Sequence, residues 1–397
     1  MERVKFGDVV REVKENIDRN TDQHEFYIAG EHMDSENIHI TRRGRFEGSD
    51  VGPAFIRLFK PGQILYGSRR TYLKKVAVAD FEGVTSNTTF VLESKDPEKL
   101  LQGLLPFIML TDSFTEYAIK NSKGSTNPYI LFSDLAEYEF ELPELREQKQ
   151  LLELLIACDE AKEAYKKQLQ ATEELVKSQF IEEFKQIPKE DYRPLNDVCT
   201  LITDGTHNPP RFVDSGIPFI LVSNITGNVV TYDTPKYITE ETYEIMMKRT
   251  PIEKGDVLLS TVGSYGHPAV VVEDKKFAFQ RHVAHLKPNK DIIDSRFLHT
   301  AILSSDVQEQ IEVLVLGVAQ KTLNLSAIKK IRIPVPSLDQ QKHFIAFVEQ
   351  SDKSKFYCWE ASNRNLSRCS GMLQQVVTSG KELLSEMPLK RVTLHAL

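Results

Sequence analysis

The sequence of 397 residues lacks paired cysteines and long apolar runs. Its four cysteines stand alone, without CxxC spacing: Cys158, Cys199, Cys358 and Cys369. We therefore expect reduced thiols, with neither a zinc site nor a disulfide framework. The longest apolar run, LLQGLLPFIML at 100–110, is shorter than the roughly 20 residues that cross a bilayer. No apolar h-region follows Met1, so we predict no secretory signal, a cytoplasmic protein and no membrane partner.

Signatures of catalysis are also missing. NSKGST at 121–126 does not have the Gly-Lys-Ser/Thr order of a phosphate-binding P-loop, and no Phe-x-Gly-x-Gly run for S-adenosylmethionine occurs. His282 and His285 in FQRHVAHL are not spaced from a cysteine or carboxylate as zinc ligands are. One surface histidine and one hydrogen-bonded histidine is the simpler interpretation. We predict no catalytic residues and no metal site.

The stretch TDGTHNPPRF at 203–212 raises one catalytic alternative. Its Asn-Pro-Pro resembles the start of the Asn-Pro-Pro-aromatic motif of DNA adenine methyltransferases, which hold a flipped adenine and stack an aromatic ring on it. Here the fourth residue is Arg211, which cannot supply that ring, although Phe212 follows. A self-contained methyltransferase is therefore an alternative that this motif alone does not support.

Charge is distributed unevenly along the chain. The formal net charge of −7 argues against a stand-alone nucleic-acid-binding protein, which is usually basic. Between Arg42 and Lys75, however, nine Lys/Arg side chains stand against only two acidic residues, Glu47 and Asp50. Such a patch, with a charge near +7, is suited to binding DNA phosphates. The alternative, which fits the charges equally well, is a solvated surface that binds no ligand.

The chain repeats itself at a constant offset of 193 residues. KPGQILYG aligns with EKGDVLLS, and FELPELREQKQ aligns with IPVPSLDQQKH. Identical residues at this offset include Gly62/Gly255, Leu65/Leu258, Tyr72/Tyr265, Val78/Val271, Gly124/Gly317, Ser133/Ser326, Pro143/Pro336, Leu145/Leu338, Gln148/Gln341 and Lys149/Lys342. A duplicated unit explains both the offset and the kind of residue retained.

Each copy begins with short Val-rich strands and turns and ends in a long segment without helix breakers. We predict globular domains at 1–143 and 188–336, long helices at 144–187 and 337–387, and a C-terminal tail at 388–397. Apolar or small residues recur at helical spacing, among them Val176, Phe180 and Phe184, then Ile345, Val348, Leu373 and Val376. About 40 residues form a rod of roughly 60 Å. We expect the two rods to pair, whereas the alternative is that each lies on its own domain.

These motifs resemble the specificity subunits of type I restriction–modification enzymes. The similar stretches are TDGTHNPPRF with GIPFILVSNI, KGDVLLSTVGSYG, QRHVAHLKP and IRIPVPSLDQQKHFIAFV in the second copy, and KPGQILYGSRR and YEFELPELREQKQLLELL in the first. The resemblance covers essentially the whole chain. It implies an α+β fold in which two similar target recognition domains are joined by two long antiparallel coiled-coil helices, as a pseudo-twofold internal repeat.

The same resemblance implies a non-catalytic protein of phage defence that reads a bipartite target in double-stranded DNA. Each domain reads one half, and the helix pair sets the unread spacer. The implied partners are two methyltransferase subunits, which hold S-adenosylmethionine, and restriction subunits, which hold ATP and Mg²⁺, while this chain itself binds no cofactor. The recognition subunit of a fused methyltransferase–nuclease system remains an alternative.

Side chains that discriminate base edges are Arg for guanine, Asn or Gln for adenine and small groups for the thymine methyl. The candidates in the first domain are Arg43, Arg45, Arg69, Arg70, Tyr72, Asn87 and Asn127. Those in the second are Thr206, His207, Asn208, Arg211, Ser264, Tyr265, Gln280, Arg281, His282 and Gln320. An aromatic cluster, Phe356, Tyr357 and Trp359, is a candidate for docking partner helices.

Overall fold

The two copies of the repeat appear as two sets of similar elements in the computed structural model. It describes residues 1–19, 23–317 and 321–379, and of 354–370 only the helical backbone. The chain divides into two compact units: residues 1–165 with the helical residues from 359 onward, and residues 166–358. The predicted tail at 388–397, Gln320 and the side chains of Phe356, Tyr357 and Trp359 lie outside the described residues.

The first copy contains ten strands and five helices among the described residues. The strands are β1 (Glu2–Lys5), β2 (Val10–Glu12), β3 (Phe26–Ile28), β4 (Gly44–Arg45), β5 (Phe55–Phe59), β6 (Ile64–Gly67), β7 (Val76–Val78), β8 (Gly83–Ser86), β9 (Thr89–Ser94) and β10 (Glu139–Leu142). The helices are α1 (Phe6–Val9), α2 (Leu105–Met109), α3 (Asp112–Lys120), α4 (Phe132–Leu135) and α5 (Leu145–Phe184).

The second copy follows the same plan. Its strands are β11 (Arg193–Pro194), β12 (Cys199–Asp204), β13 (Ile217–Ile220), β14 (Tyr237–Ile238), β15 (Val257–Ser260), β16 (Pro268–Val270), β17 (Ala278–Phe279), β18 (Val283–Pro288) and β19 (Arg332–Ile333). Its helices are α6 (Leu195–Val198), α7 (Glu240–Met247), α8 (Ser295–Leu303), α9 (Ser305–Leu314), α10 (Leu325–Ile328) and α11 (Leu338–Ser379).

A four-stranded sheet forms the centre of each copy, in the order β2-β9-β6-β7 in the first and β12-β18-β15-β16 in the second. The strands β6 and β15 are largely buried, and their alternate side chains point to opposite faces of the sheet. In β6, Ile64 and Tyr66 enter a core formed largely with helices, whereas Leu65 enters a core shared with the neighbouring sheet β4-β3-β8-β5. In β15, Val257 and Leu258 divide in the same way.

A buried glutamine explains why a proline and a glutamine recur at the start of each long helix. Gln148 is fully buried, its Oε1 accepts from the Leu101 N–H at 2.9 Å, and its Nε2 donates to the carbonyls of Lys99 and Pro143. Gln341 makes the equivalent bonds, each partner displaced by 193 residues. The amide thus joins the helix start to the globular domain and satisfies backbone groups that burial would otherwise leave unpaired.

The ends of the two long helices pack side by side within each unit. In the first unit, Leu151 and Leu155 of α5 share a core with Leu373 and Val376 of α11. The start of one helix therefore meets the end of the other, which is an antiparallel pairing.

In the second unit, the end of α5 meets the start of α11. Phe180 and Phe184 stack edge-on against Phe344, with ring centroids 5.4 and 5.6 Å apart. The predicted α+β fold with two similar domains and two long antiparallel helices is confirmed.

The cysteine expectation is correct for one residue and wrong for another. Cys199 is a free thiol, and burial raises its pKa to about 12, so it stays protonated at neutral pH. Cys158 is disulfide-bonded, which the absence of CxxC spacing did not predict. Spacing along the chain cannot reveal a bond between residues that only the fold brings together.

Candidate DNA interface

The TDGTHNPPRF loop of the second copy is fixed against the loop that joins β17 to β18. The Thr206 N–H donates to the Phe279 carbonyl at 3.1 Å, and the Arg281 N–H donates to the Thr206 carbonyl at 3.0 Å. Gly205 permits this approach, because a Cβ at that position would lie 2.2 Å from the Phe279 carbonyl oxygen. The two loops therefore present His207 and Asn208 beside Arg281 and its neighbours.

A buried carboxylate holds two exposed side chains of this surface. Asp204, at the end of β12, accepts from His207 Nε2 and from Arg249 Nη2, both at 2.8 Å. Both partner side chains are exposed, whereas the Asp204 side chain is largely buried. Arg249 was missed by the sequence analysis, since it follows α7 and no motif marks it. The fold adds Arg249 to the candidate recognition residues.

Two further loops, those of Thr261 and Leu323, complete the surface. The Thr261 N–H donates to the His282 carbonyl at 3.0 Å, and the Leu323 N–H donates to the Thr261 carbonyl at 2.8 Å. Burial and the neighbouring Arg281 lower the pKa of His282, so its ring is neutral at pH 7 and can donate or accept a hydrogen bond. These loops surround a cavity of about 420 Å³ that is open to solvent. It is lined by Asp204, Thr261, Val262, Arg281, His282, Thr322, Leu323, Asn324 and Leu325.

The aromatic residue of the Asn-Pro-Pro stretch is not available for a flipped base. The Phe212 ring packs edge-on against Phe219 at 5.3 Å between centroids, and the Lys236 ammonium lies 4.9 Å from its centre. Arg211, which occupies the position of the motif's aromatic residue, is exposed. The geometry therefore assigns Phe212 a packing role, and it gives the methyltransferase alternative no support.

The equivalent tyrosines of the two copies differ in their surroundings. The Tyr265 hydroxyl donates to Glu312 Oε1 at 2.8 Å and accepts from Lys321 Nζ at 3.3 Å. Tyr72, at the same position of the first copy, lies in a short 3-10 turn and is 53% exposed. Ser264 is exposed beside Tyr265. Tyr72 is thus the freer of the two rings to contact a ligand.

The first copy assembles its candidates from three corresponding loops. Ser68 donates to the Thr88 carbonyl through both its N–H and its hydroxyl, which brings the loop of Arg69 next to that of Asn87. The Arg70 N–H donates to the Pro128 carbonyl at 2.7 Å, which brings in the loop of Asn127. Arg69, Arg70, Tyr72, Asn87 and Asn127 are all exposed there.

Arg43 and Arg45 belong to a different part of the first unit. The Arg43 guanidinium lies 3.8 Å from the centre of the Phe26 ring, and Arg45 pairs with Glu25 at 3.4 Å. Both residues lie at the edge of the sheet β4-β3-β8-β5. These contacts give each arginine a structural partner and do not join it to Arg69.

Acidic residues from outside the basic run neutralise much of it. Arg42 pairs with Asp34 and Lys60 with Glu15, while Lys74 contacts both Glu36 and Asp112. The run is therefore not the uncompensated patch near +7 that composition predicts. Among the described residues, Arg69 and Arg70 have no acidic partner, which leaves their charge available to a ligand.

The two histidines of FQRHVAHL have the roles expected of them. His282 is partly exposed at the cavity, whereas His285 is fully buried and its Nε2 lies 2.8 Å from Asp256 Oδ2. Across the described parts of the chain, no group of three metal-ligating side chains occurs, and no helix is long and apolar enough to span a bilayer.

Comparison with known families identifies the family of the two domains that carry these loops. The family model of the type I restriction modification DNA specificity domain matches twice, at residues 16–174 and 189–358. The chain belongs to this family. Each match takes in one globular domain and part of a long helix, so the two family domains correspond to the two copies of the repeat.

Relatives of this specificity family include two curated proteins. The chain is 30% identical to the specificity subunit of the type I restriction enzyme EcoBI from Escherichia coli over 44% of its own length and 36% of that protein. It is 22% identical to the MjaVIII specificity subunit from Methanocaldococcus jannaschii, over 66% of this chain and 65% of that one. These alignments thus span from about a third to two thirds of the relatives' lengths.

A solved structure has the same fold. This structure concerns complex assembly and conformational transition of the type I R-M system. Its chain aligns with the present chain at a TM-score of 0.50 and 18% sequence identity. The match covers 96% of this chain and 98% of that one. At 18% identity this likeness concerns the fold alone.

Proposed function

We propose that this chain selects the DNA site for a type I restriction–modification enzyme. Each domain reads one half of a bipartite target, and the helix pair sets the number of unread base pairs between the halves. The observation that carries the proposal is the repeated loop surface: three corresponding loops converge in both copies, on matching backbone hydrogen bonds but with different side chains. Two readers with one scaffold and different exposed groups suit two different half-sites.

The chain acts through partners in this proposal. Two methyltransferase subunits, holding S-adenosylmethionine, modify adenine, and restriction subunits, holding ATP and Mg²⁺, cleave unmodified DNA. This chain supplies no catalytic residue and binds no cofactor. The net charge of −7 opposes strong phosphate binding by this chain alone. It therefore supports a complex in which the partner subunits contribute much of the DNA binding.

Co-expression with the two partner subunits tests the function. We expect the complex to methylate adenines in a single motif with two defined halves around a fixed spacer, and the same complex without this chain to methylate no defined motif. Sequencing of methylated bases in the host genome measures both. Methylation of one continuous motif, or of the same motif in the absence of this chain, would be incompatible with the proposal.

A further inference from the structure

One small backbone structure occurs in both domains and carries different side chains in each. In the first domain, Lys123 and Tyr129 exchange two backbone hydrogen bonds of 2.7 and 2.9 Å, and Tyr129 forms a further bridge with Arg69. In the second, Leu316 and Thr322 exchange bonds of 3.0 and 2.8 Å, and Thr322 bridges to Val262. Each of the three positions is displaced by 193 residues. We call the two sets the ladder triads.

The turn that follows the first ladder residue is also retained. Gly124 has φ +86° and Gly317 has φ +105°, a conformation that other residues rarely adopt. The scaffold is therefore the same in both domains, whereas the side chains change from Arg, Tyr and Lys to Val, Thr and Leu. Residues that only packed the fold would not need this change of chemistry.

The ladder side chains are accessible and adjoin the candidate interface. Tyr129 is 40% exposed and Leu316 is 62% exposed. Val262 and Thr322 line the cavity that also contains Arg281 and His282, so the second triad continues directly into the other candidate recognition residues. In the first triad, Lys123 pairs with Asp134 at 2.8 Å, which leaves Arg69 as the cation without an acidic partner among the described residues.

We propose that the ladder triads determine part of the base specificity of each domain. This inference rests on the proposed function. Arg69, which the backbone bridge places opposite Tyr129, selects a guanine in the first half-site by donating to the O6 and N7 atoms of that base. Val262 and Leu316 select the 5-methyl group of a thymine in the second half-site, because an aliphatic surface gains by covering that methyl and offers no donor to a guanine.

Nucleotide analogues test the proposal with the unmodified protein. In the complex with its methyltransferase partners, 7-deazaguanine at one guanine of the first half-site should weaken binding at least about fivefold. Deoxyuridine, which lacks the 5-methyl group, should weaken binding about fourfold at one thymine of the second half-site. If no single position in a half-site responds to its analogue, the ladder assignment for that domain is overturned.

Variants connect each analogue effect to its residue. Arg69→Ala should abolish sensitivity to 7-deazaguanine, and Leu316→Ala should reduce sensitivity to deoxyuridine. Val313→Ala is the matched control, because Val313 lies in the same region, is 84% exposed and is outside the triad. It should retain the full effect of deoxyuridine, and an equal loss in both variants would contradict the role of Leu316. Thermal unfolding and partner assembly show whether each variant is folded.

The outcomes separate the two levels of the proposal. A wild-type complex that selects no bipartite motif would overturn the proposed function itself. A wild-type complex that selects such a motif, but whose analogue effects persist in Arg69→Ala and Leu316→Ala, would overturn the ladder inference alone. Where a variant fails to fold, the absence of any analogue effect in the wild-type complex still overturns the ladder inference.

Discussion

The Gly205→Ala variant is expected to lose recognition of the second half-site while it retains that of the first. An added Cβ would lie 2.2 Å from the Phe279 carbonyl oxygen and 2.5 Å from that of Gln280. Both neighbours are backbone atoms, so no side chain can move aside and the two loops must separate. Because several of the proposed base contacts would then lose their geometry together, we expect discrimination at that half-site to fall by about 100-fold.

Binding to duplexes with either half-site randomised measures this effect. Gly227→Ala is the matched control in the same domain, because the nearest atom to its added Cβ is 4.0 Å away. The control should select both halves as the wild-type protein does. An unchanged second half-site in Gly205→Ala would show that this pair of loops does not read DNA.

The Gln341→Ala variant is expected to lower the free energy of unfolding of the second unit by about 3–5 kcal/mol. The fully buried amide makes three hydrogen bonds, to the Asp294 N–H and to the carbonyls of Ile292 and Pro336. Truncation leaves all three backbone groups buried without this partner, and each unpaired group costs roughly 1–3 kcal/mol. Denaturant unfolding of the full chain measures the change.

The adjacent glutamine provides the control. Gln340 is exposed and its Oε1 accepts from the Ser337 N–H, while the Ser337 hydroxyl accepts from the Gln340 N–H, which is a capping box. Gln340→Ala should cost only about 1 kcal/mol, the usual effect of losing a helix cap. Equal destabilisation by the two variants would show that the buried glutamine does not anchor the helix to the domain.

The repeat and the long helices could be predicted because their signals lie in the chain itself. The offset of 193 residues is visible without a structure, and the breaker-free stretches predict α5 and α11. The predicted seam residues Val176, Phe180 and Phe184 do enter a shared core with Phe344. Helical periodicity is a local property, which sequence reports directly.

The details of the interface depend on contacts between distant residues. Arg249 reaches the site through its bond to Asp204, and Glu36 neutralises Lys74 from outside the basic run. Neither pairing follows a spacing rule. Similarly, the sequence marked Arg69 but not Tyr129, because their bridge joins residues 60 positions apart. Residue type identified candidates, while the fold decided which of them lie together.

Exchange of residues 1–143 for the corresponding domain of another family member tests the central claim most directly. The motif methylated by the complex, read by sequencing, should change in one half only, with the other half and the spacer length unaltered. This result is expected because the loops of each copy are held by hydrogen bonds within that copy. A change in both halves, or in neither, would contradict the account of two independent readers.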